Sequence, residues 1–400
     1  MVVAVSKPIR SARPSAAELA ARAAEVGKLA RERAADAERD RCVAADVVAA
    51  ARDAELFRIL QPAAFGGFEY GYDVFADCVK EVAAGDGSAG WVCSLGAAHQ
   101  WLIACFPMQA QQDVWGQTPN AIAAGSYAPA GTAVPADGGH RITGRWSFAS
   151  GCDHMQWAVI GSLLTKADGG KAPGFLLVPK SDYAIDDDWF TMGLAGTGSK
   201  TLVATDVFVP HHRTVMFSDM LVGNAPGANG NPLYRQPLLA VMPTCLVAPQ
   251  LGMARGALDV FVEQVKGRKT RGAVAGGNAS MADFVAVQMR VAEAAACADT
   301  AALLIRRDLQ ETAELAARGE AGVDLRLRNR RDHSFASRLC VQAVDALFAA
   351  AGGSGLGLQH PLQRFWRDIH AAGAHISMNW DVVGAMYGQH VFGLEPKGQY

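Results

Sequence analysis

Strand-like sequence is confined to the middle of this chain, and this feature constrains its fold most. Residues 15–60 are alanine-rich with apolar side chains at helical spacing, and helical periodicity returns in long blocks from about 235 to 393. Between about 117 and 225 the chain has short β-branched runs such as HRITGRWSF and TLVATDVFVP, separated by turn-forming clusters. Because helices and strands do not alternate, a doubly wound parallel sheet is disfavoured. The sequence predicts an α+β, mostly helical protein.

The points at which this pattern changes predict three domains. At 400 residues the chain is long enough for two or three folding units of roughly 100–200 residues each. We expect an N-terminal helical domain over 1–116, a central β domain over 117–225 and a C-terminal helical domain over 226–400.

Charge and cysteine usage narrow the class of protein. The formal net charge of −2 gives no basic surface for nucleic acid. The eight cysteines are scattered, without a CxxC pair or a His/Cys cluster at metal-ligand spacing, which indicates free thiols and no metal. The apolar run before Lys7 is too short for a signal peptide, and no segment approaches the roughly 18 uninterrupted apolar residues of a membrane span. We therefore expect a cytoplasmic protein without a membrane or nucleic-acid partner.

Two segments of the strand-rich region have unusual chemistry. Residues 144–154, GRWSFASGCDH, combine aromatic, hydroxyl, acidic and imidazole side chains in one short run, which indicates a binding role. Residues 193–200, GLAGTGSK, superficially resemble a P-loop. They lack the GxxxxGK[ST] spacing and precede a strand-like run instead of a helix, so a nucleoside triphosphate site is not expected.

Five separated segments carry a family resemblance, although none is decisive alone. They are GDGSAGWVCS (85–94), GRWSFASGCDH (144–154), GLAGTGSKTLVATDVFVP (193–210), AAGGSGL (350–356) with PLQRFWRD (361–368), and HISMNWDVVGAMYGQHVFGLEP (375–396). In this order they resemble the acyl-CoA dehydrogenase superfold, and more narrowly its branch of two-component flavin monooxygenases, which includes the 4-hydroxyphenylacetate, secosteroid-phenol and indole hydroxylases. The implied fold has an N-terminal helical domain, a central β-barrel or sandwich and a C-terminal four-helix bundle.

This resemblance implies a reaction between reduced flavin, either FAD or FMN, and O2. Members of the branch use a C4a-hydroperoxyflavin to hydroxylate an aromatic substrate, phenolic or indolic. The chain has no Rossmann GxGxxG motif for a nicotinamide, so a separate NAD(P)H:flavin reductase is the expected source of reduced flavin. Because the fold usually forms tetramers, the resemblance also implies a homotetramer.

The segment GRWSFASG is the part implied to contact the flavin ring. Trp146 and Phe148 are expected to supply aromatic walls, and Ser150 matches the position whose hydroxyl approaches flavin N5. The alternative is that both aromatic residues belong to the inner face of a strand and that Ser150 starts a turn.

A second group of residues is implied at the flavin phosphates. Arg271 is near the position from which an arginine of the fold reaches the pyrophosphate of a neighbouring subunit. The family's aromatic–glycine pair is replaced here by GAV, so Arg268 and Arg271 are not separable and a solvated basic turn remains an alternative. Gly352 and Gly353 would allow close backbone approach to a phosphate or ribose, although a helix C-cap explains them almost as well.

The resemblance also assigns catalytic and substrate-binding residues. His375 stands where the oxygenases have a histidine, which can donate a hydrogen bond to a peroxide. His99 and Ser126 match segments that face the aromatic substrate, where they would bind a phenolic oxygen or indole nitrogen and draw off its proton. Trp91 and Trp101 are expected to line the pocket, with ordinary core packing as the alternative.

Other functions remain open at this point. An acyl-CoA dehydrogenase or oxidase would require tightly bound FAD and a carboxylate base. An N- or S-monooxygenase would use the same flavin chemistry without a phenol-binding His99. A helical assembly protein would have lost catalysis.

Asp381 is nearly two helical turns beyond His375, so the two would not be immediate neighbours on a regular helix.

Overall fold

The N-terminal part of the chain is helical. The computed structural model describes residues 13–166, 169–228, 230–269 and 279–400. Ser15 caps the first helix through a capping box in which its hydroxyl accepts from the Glu18 N–H and the Glu18 carboxylate accepts from the Ser15 N–H. The helices are α1 (Ala16–Asp40), α2 (Ala45–Asp53), α3 (Tyr72–Ala83), α4 (Gly87–Ala104) and α5 (Met108–Trp115).

The glycine-rich segment GDGSAG (85–90) favours a break between two helices, but the gap between α3 and α4 is only three residues long. Asp86 caps α4 by accepting a hydrogen bond from the Ala89 N–H at 2.8 Å, so the helix begins inside this segment. Glycine is needed at position 90 because a Cβ there would lie 2.3 Å from the Ala83 Cβ. The glycines therefore allow α4 to pack closely against α3 instead of ending it.

Two four-stranded sheets form the centre of the chain. Their strand orders are β1-β4-β5-β8 and β2-β3-β7-β6, and among the described pairs β1–β4 is parallel while the others are antiparallel. The strands are β1 (Ala123–Ser126), β2 (Thr132–Ala136), β3 (Gly139–Ala149), β4 (Trp157–Thr165), β5 (Lys171–Pro179), β6 (Ala184–Asp186), β7 (Lys200–Pro210) and β8 (Thr214–Met216).

The C-terminal part is a bundle of four long helices with shorter ones at its ends. Helices α8 to α11 pack against one another, which together with the two sheets confirms the predicted fold class. The helices are α6 (Phe217–Leu221), α7 (Leu238–Val241), α8 (Thr244–Lys266), α9 (Val285–Arg318), α10 (Val323–Ala351), α11 (Pro361–Gly373) and α12 (Trp380–Val391).

The helical periodicity of residues 361–391 is interrupted in the structure, where α11 and α12 are separate helices. The His375 side chain accepts a hydrogen bond from the Ser377 N–H, and the Asn379 side chain accepts from the Asp381 N–H. These local bonds satisfy the backbone where α11 stops and α12 starts. His375 consequently lies in extended backbone (φ −60°, ψ 134°) and not on a regular helix.

Helix α4 lies at the centre of the molecule. All eighteen of its residues are buried, and it contacts α3, α8, β1 and the turn before β7. Trp91, Leu95 and His99 are spaced by four residues, so they share one face of the helix. At 1.5 Å per residue, Trp91 and His99 are roughly 12 Å apart along the axis.

Candidate active site

Four side chains form a hydrogen-bonded row beside the start of α4. The Trp91 Nε1–H donates to Ser150 Oγ at 3.2 Å. Ser150 Oγ is 2.6 Å from Ser199 Oγ, and Ser199 Oγ is 2.6 Å from Thr197 Oγ1. Thr197 Oγ1 donates to the Leu194 carbonyl at 2.7 Å. We call Trp91, Ser150, Ser199 and Thr197 the hydroxyl row.

His375 lies on the same side of α4 as this row. Its imidazole centroid is 6.2 Å from that of Trp91. Burial, together with the nearby Arg330 charge, lowers the pKa of His375 to about 4, so the ring is neutral at physiological pH. Because Nδ1 accepts from the Ser377 N–H, the proton of the neutral ring must be on Nε2. His375 is therefore a hydrogen-bond donor through Nε2.

His99, in contrast to His375, presents a hydrogen-bond acceptor at Nε2. It is fully buried, and burial lowers its pKa to about 4. Nδ1 is 2.5 Å from the Ala123 carbonyl, which can only accept, so Nδ1 has the proton. Nε2 is buried and has no partner among the described residues. His99 thus presents an unused acceptor.

Tyr127, which the sequence reasoning missed, lies against His99. The two rings contact edge to face with centroids 5.7 Å apart. A Cβ added at Gly125 would lie 2.8 Å from His99 Nε2 and 2.9 Å from Tyr127 Cε1, so a larger residue would crowd both rings. The Tyr127 hydroxyl is buried without a partner in the described part of the chain. The signal available in the sequence was that Tyr127 directly follows Ser126, which had been singled out for the substrate.

Tyr72, at the start of α3, is a second buried tyrosine of this region. Its hydroxyl also has no partner among residues that the structure describes. Burial raises the pKa of Tyr72 and of Tyr127 well above the usual range, and Cys245 is an electrostatic neighbour of both. Both hydroxyls are therefore neutral and available as donors.

The other two residues predicted for the substrate are differently engaged. The Ser126 hydroxyl donates to the Ser147 carbonyl at 2.7 Å, which leaves Ser126 Oγ only acceptor capacity. The Trp101 ring is fully buried and its Nε1–H donates to the Leu233 carbonyl at 2.7 Å. Trp101 is thus held as a core residue, in line with the alternative reading of its sequence.

Trp146 and Phe148 are not brought together as a pair of walls. The Trp146 ring is 1% exposed inside the β domain, and its Nε1–H donates to the Gly161 carbonyl at 2.8 Å. Phe148 is 69% exposed, has φ +63° and contacts Trp189 edge to face. The register of β3 against β7 shifts between Trp146 and Ala149, and this bulge ends the two-residue alternation. Trp146 is thus held inside the β domain and Phe148 faces outward, and a role of either ring as a wall for the flavin stays a prediction.

Of the residues expected at the flavin phosphates, those that the structure describes lie apart from His375 and the hydroxyl row. Arg271 is outside the described residues. The Arg268 Nη1 donates to the Ala351 carbonyl at 2.6 Å, beside Gly352, whose φ is +64°. Gly352 and Gly353 precede α11 and His375 follows it, so the thirteen residues of this helix separate the two groups by roughly 20 Å.

A buried carboxylate pair supports the turn that holds the hydroxyl row. Asp368 on α11 accepts from the Leu194 N–H at 2.6 Å, and its other oxygen is buried near Gly87. Burial raises the pKa of Asp368, and the neighbouring Asp86 raises it further.

Asp381, by contrast, is exposed at the start of α12. In the described parts of the chain, no group of three or more His, Cys, Asp or Glu side chains could hold a metal ion.

Comparison with known proteins gives the family. The "Acyl-CoA dehydrogenase, C-terminal domain" model matches residues 244–380. The chain is 48% identical to the "FADH(2)-dependent resorcinol hydroxylase, oxygenase component" of Rhizobium sp. (strain MTP-10005), over 96% of each protein. It is 41% identical to the "Flavin-dependent monooxygenase, oxygenase subunit HsaA" of Rhodococcus jostii (strain RHA1), over 91% of this chain and 95% of the relative. The crystal structure of the HsaA monooxygenase from M. tuberculosis superposes with a TM-score of 0.90 and 36% identity, over 96% of this chain and 100% of that one.

The fold and these matches first define a class, the flavin-dependent enzymes with an acyl-CoA dehydrogenase fold. Within it, the chain belongs to the family of oxygenase components of two-component flavin-dependent monooxygenases. The predictions of a monooxygenase and of reduced flavin as its cofactor are confirmed. The donor and acceptor groups fit such a cofactor: Ser150 Oγ has acceptor capacity left and His375 Nε2 is a donor. When bound, reduced flavin supplies the electrons that activate O2.

Proposed function

We propose that this protein hydroxylates a phenolic ring bound against the His99 and Tyr127 side chains, using reduced flavin delivered by a separate reductase. The names of its relatives support this substrate class, because they include a resorcinol hydroxylase at 48% identity and a p-hydroxyphenylacetate 3-hydroxylase from Acinetobacter baumannii at 31% identity. Their description as oxygenase components supports the separate reductase.

The observation that carries the proposal is the unused acceptor of His99 beside the unused donor of Tyr127. Leaving a buried polar group unpaired costs about 1–3 kcal/mol, so such groups are usually matched by a ligand or water. A phenol hydroxyl would donate to His99 Nε2, while a second ring oxygen would accept from the Tyr127 hydroxyl. One acceptor and one donor on two rings in contact suit a ligand that has both a hydroxyl to donate and a second oxygen to accept.

The reaction then follows from the polarity of these groups. A hydrogen bond from the phenol to His99 increases electron density in the ring, which favours attack on an electrophilic oxygen. With its pKa lowered to about 4, His99 would polarise the phenol O–H more than it would remove the proton in the resting complex. The Nε2–H of His375 would donate to the oxygen being transferred. The buried face of α4 between Trp91 and His99 would keep water from both ends of the site.

The test is a coupled assay with purified protein, FAD, NADH and a generic flavin reductase. We expect dihydroxylated or trihydroxylated product from phenol or resorcinol, respectively, and little hydrogen peroxide. His99→Phe should lower product formation at least tenfold while reduced flavin is still oxidised, with peroxide as the product. His140→Phe, at a buried histidine of the β domain, is the control and should keep normal coupling. Bleaching of bound FAD by an acyl-CoA, without phenol hydroxylation, would support the dehydrogenase alternative instead.

We further propose a cytoplasmic homotetramer with domains at 1–116, 117–225 and 226–400, and with Arg268 or Arg271, Gly352 and Gly353 at the flavin phosphates. Assembly is supported by a groove of about 580 Å³ between α10 and α11, lined by Phe335, Arg338 and His370 among others. The separation of Gly352 from His375 by the length of α11 supports contributions from different subunits to one flavin site. Light scattering of the purified protein would test the tetramer, and a monomer would contradict it.

A further inference from the structure

The segment GLAGTGSK, which is not a P-loop, supplies the outer half of the hydroxyl row. Thr197 and Ser199 belong to it, and both are at least 95% buried. Leu194 adopts φ +52°, and its N–H is bound to Asp368 on α11. The Thr197 N–H also donates to the Leu194 carbonyl, so the turn is held by bonds that do not involve the Thr197 and Ser199 hydroxyls.

The direction of every hydrogen bond in the row can be assigned. The Leu194 carbonyl only accepts, so the single proton of Thr197 is donated to it. Thr197 must then accept from Ser199, and Ser199 in turn must accept from Ser150. The indole N–H of Trp91 can only donate, and it donates to Ser150.

These directions fix what Ser150 can still do. Its proton is committed to Ser199 and one lone pair is taken by Trp91, so one lone pair remains. Any further ligand at Ser150 must therefore be a hydrogen-bond donor. In an oxidised isoalloxazine N5 is an acceptor, whereas in the reduced ring N5 has a hydrogen and donates.

We propose that Thr197 and Ser199 are positioning residues which hold Ser150 as an acceptor and thereby make the site select reduced over oxidised flavin. This inference rests on the proposed function and on the family resemblance, which implies that the Ser150 hydroxyl lies at flavin N5. A two-component oxygenase has to capture reduced flavin and release the oxidised form, so the selectivity serves its catalytic cycle. This selectivity follows from the direction of the hydrogen bonds in the hydroxyl row, which the Leu194 carbonyl sets.

The test is equilibrium binding of FAD and of dithionite-reduced FAD under anaerobic conditions, for the wild type and for Ser199→Ala. Removing the Ser199 hydroxyl frees the Ser150 proton, so Ser150 can donate to oxidised N5. We expect the ratio of the two dissociation constants, oxidised over reduced, to fall about tenfold, which equals about 30 mV in the two-electron potential of bound flavin. Ser94→Ala is the matched control, because Ser94 is a buried α4 serine that donates to the Cys245 carbonyl outside the row.

The outcomes separate this inference from the proposed function. An unchanged ratio in a folded Ser199→Ala protein, or a wild type that binds both flavin states equally while hydroxylating phenols, overturns the inference alone. A wild type that binds neither flavin state overturns the proposed function. If Ser199→Ala does not fold, Thr197→Val gives the same test, since it removes the acceptor that orients the Ser199 proton.

Discussion

Replacing Tyr127 by phenylalanine should weaken the binding of a diphenol while leaving the protein at least as stable. The substitution removes only a hydroxyl that is buried without a partner in the described structure. Its ring contacts with His99 and Phe175, at centroid distances of 5.7 and 5.2 Å, are retained. The free protein therefore loses no hydrogen bond within the fold, whereas a bound diphenol loses one.

The expected magnitudes follow from these contacts. A neutral hydrogen bond contributes about 0.5–1.5 kcal/mol net, which corresponds to a roughly two- to twelvefold increase in Kd for resorcinol. Phenol, whose single hydroxyl would be held by His99, should bind with little change. Because removing an unpaired buried hydroxyl relieves a cost of about 1–3 kcal/mol, the melting temperature should not fall.

Calorimetric titration of the flavin-free protein with resorcinol and with phenol measures this difference directly. Tyr183→Phe is the control, because its hydroxyl is likewise buried and unpaired among the described residues, but Tyr183 directly precedes β6, which belongs to the other sheet than β1. It should leave both affinities unchanged. Equal weakening of resorcinol and phenol by Tyr127→Phe would refute the assigned role, and a fall of several degrees in melting temperature would show that the hydroxyl is paired within the fold.

Three further predictions address other parts of the site. His375→Ala removes the Nε2 donor and should raise the hydrogen peroxide released per reduced flavin severalfold, measured with a peroxidase assay, whereas Ala at the exposed neighbour Ile376 should not. Gly125→Ala would place a Cβ 2.7 Å from His99 Cε1, so the KM for the phenol should rise at least tenfold with reduced-flavin affinity within twofold; unchanged KM would contradict the placement of the pocket. For Asp368, burial raises the pKa in the folded protein, so the native state holds a proton that the unfolded chain releases, and stability falls as pH rises between about pH 4 and 7. Asp368→Asn should flatten this decline in thermal melts recorded across that range, and an identical decline in the variant would exclude the carboxylate as its cause.

The order of helices and strands and the family could be predicted from the sequence. The directions in which side chains point could be predicted less well. Helical and strand periodicity are properties of long segments, so the helix–strand–helix plan could be predicted. The outward turn of Phe148 depends on a bulge in β3, which is set by pairing with β7 more than fifty residues further along the chain. No local pattern near Trp146 or Phe148 specifies that bulge.

Hydrogen-bond partners that depend on tertiary contact could not be predicted from the sequence either. The sequence singled out Ser150 and His375, yet their polarity is set by Ser199 and by the Ser377 backbone, respectively. Tyr127 was overlooked because its contact with His99 requires β1 to lie against α4. The segment GLAGTGSK was expected not to be a P-loop, and no role was predicted for its hydroxyls, because their contact with Ser150 is visible only in the folded chain.

The proposed hydroxylation requires this protein to transfer one atom of O2 to a phenol. Reaction of the protein with reduced FAD, resorcinol and ¹⁸O2, followed by mass spectrometry of the product, tests it most directly. We expect one ¹⁸O atom in each newly formed hydroxyl and the same product in unlabelled water or H2¹⁸O. Product without the label, or complete conversion of the labelled oxygen to hydrogen peroxide at saturating resorcinol, would contradict it.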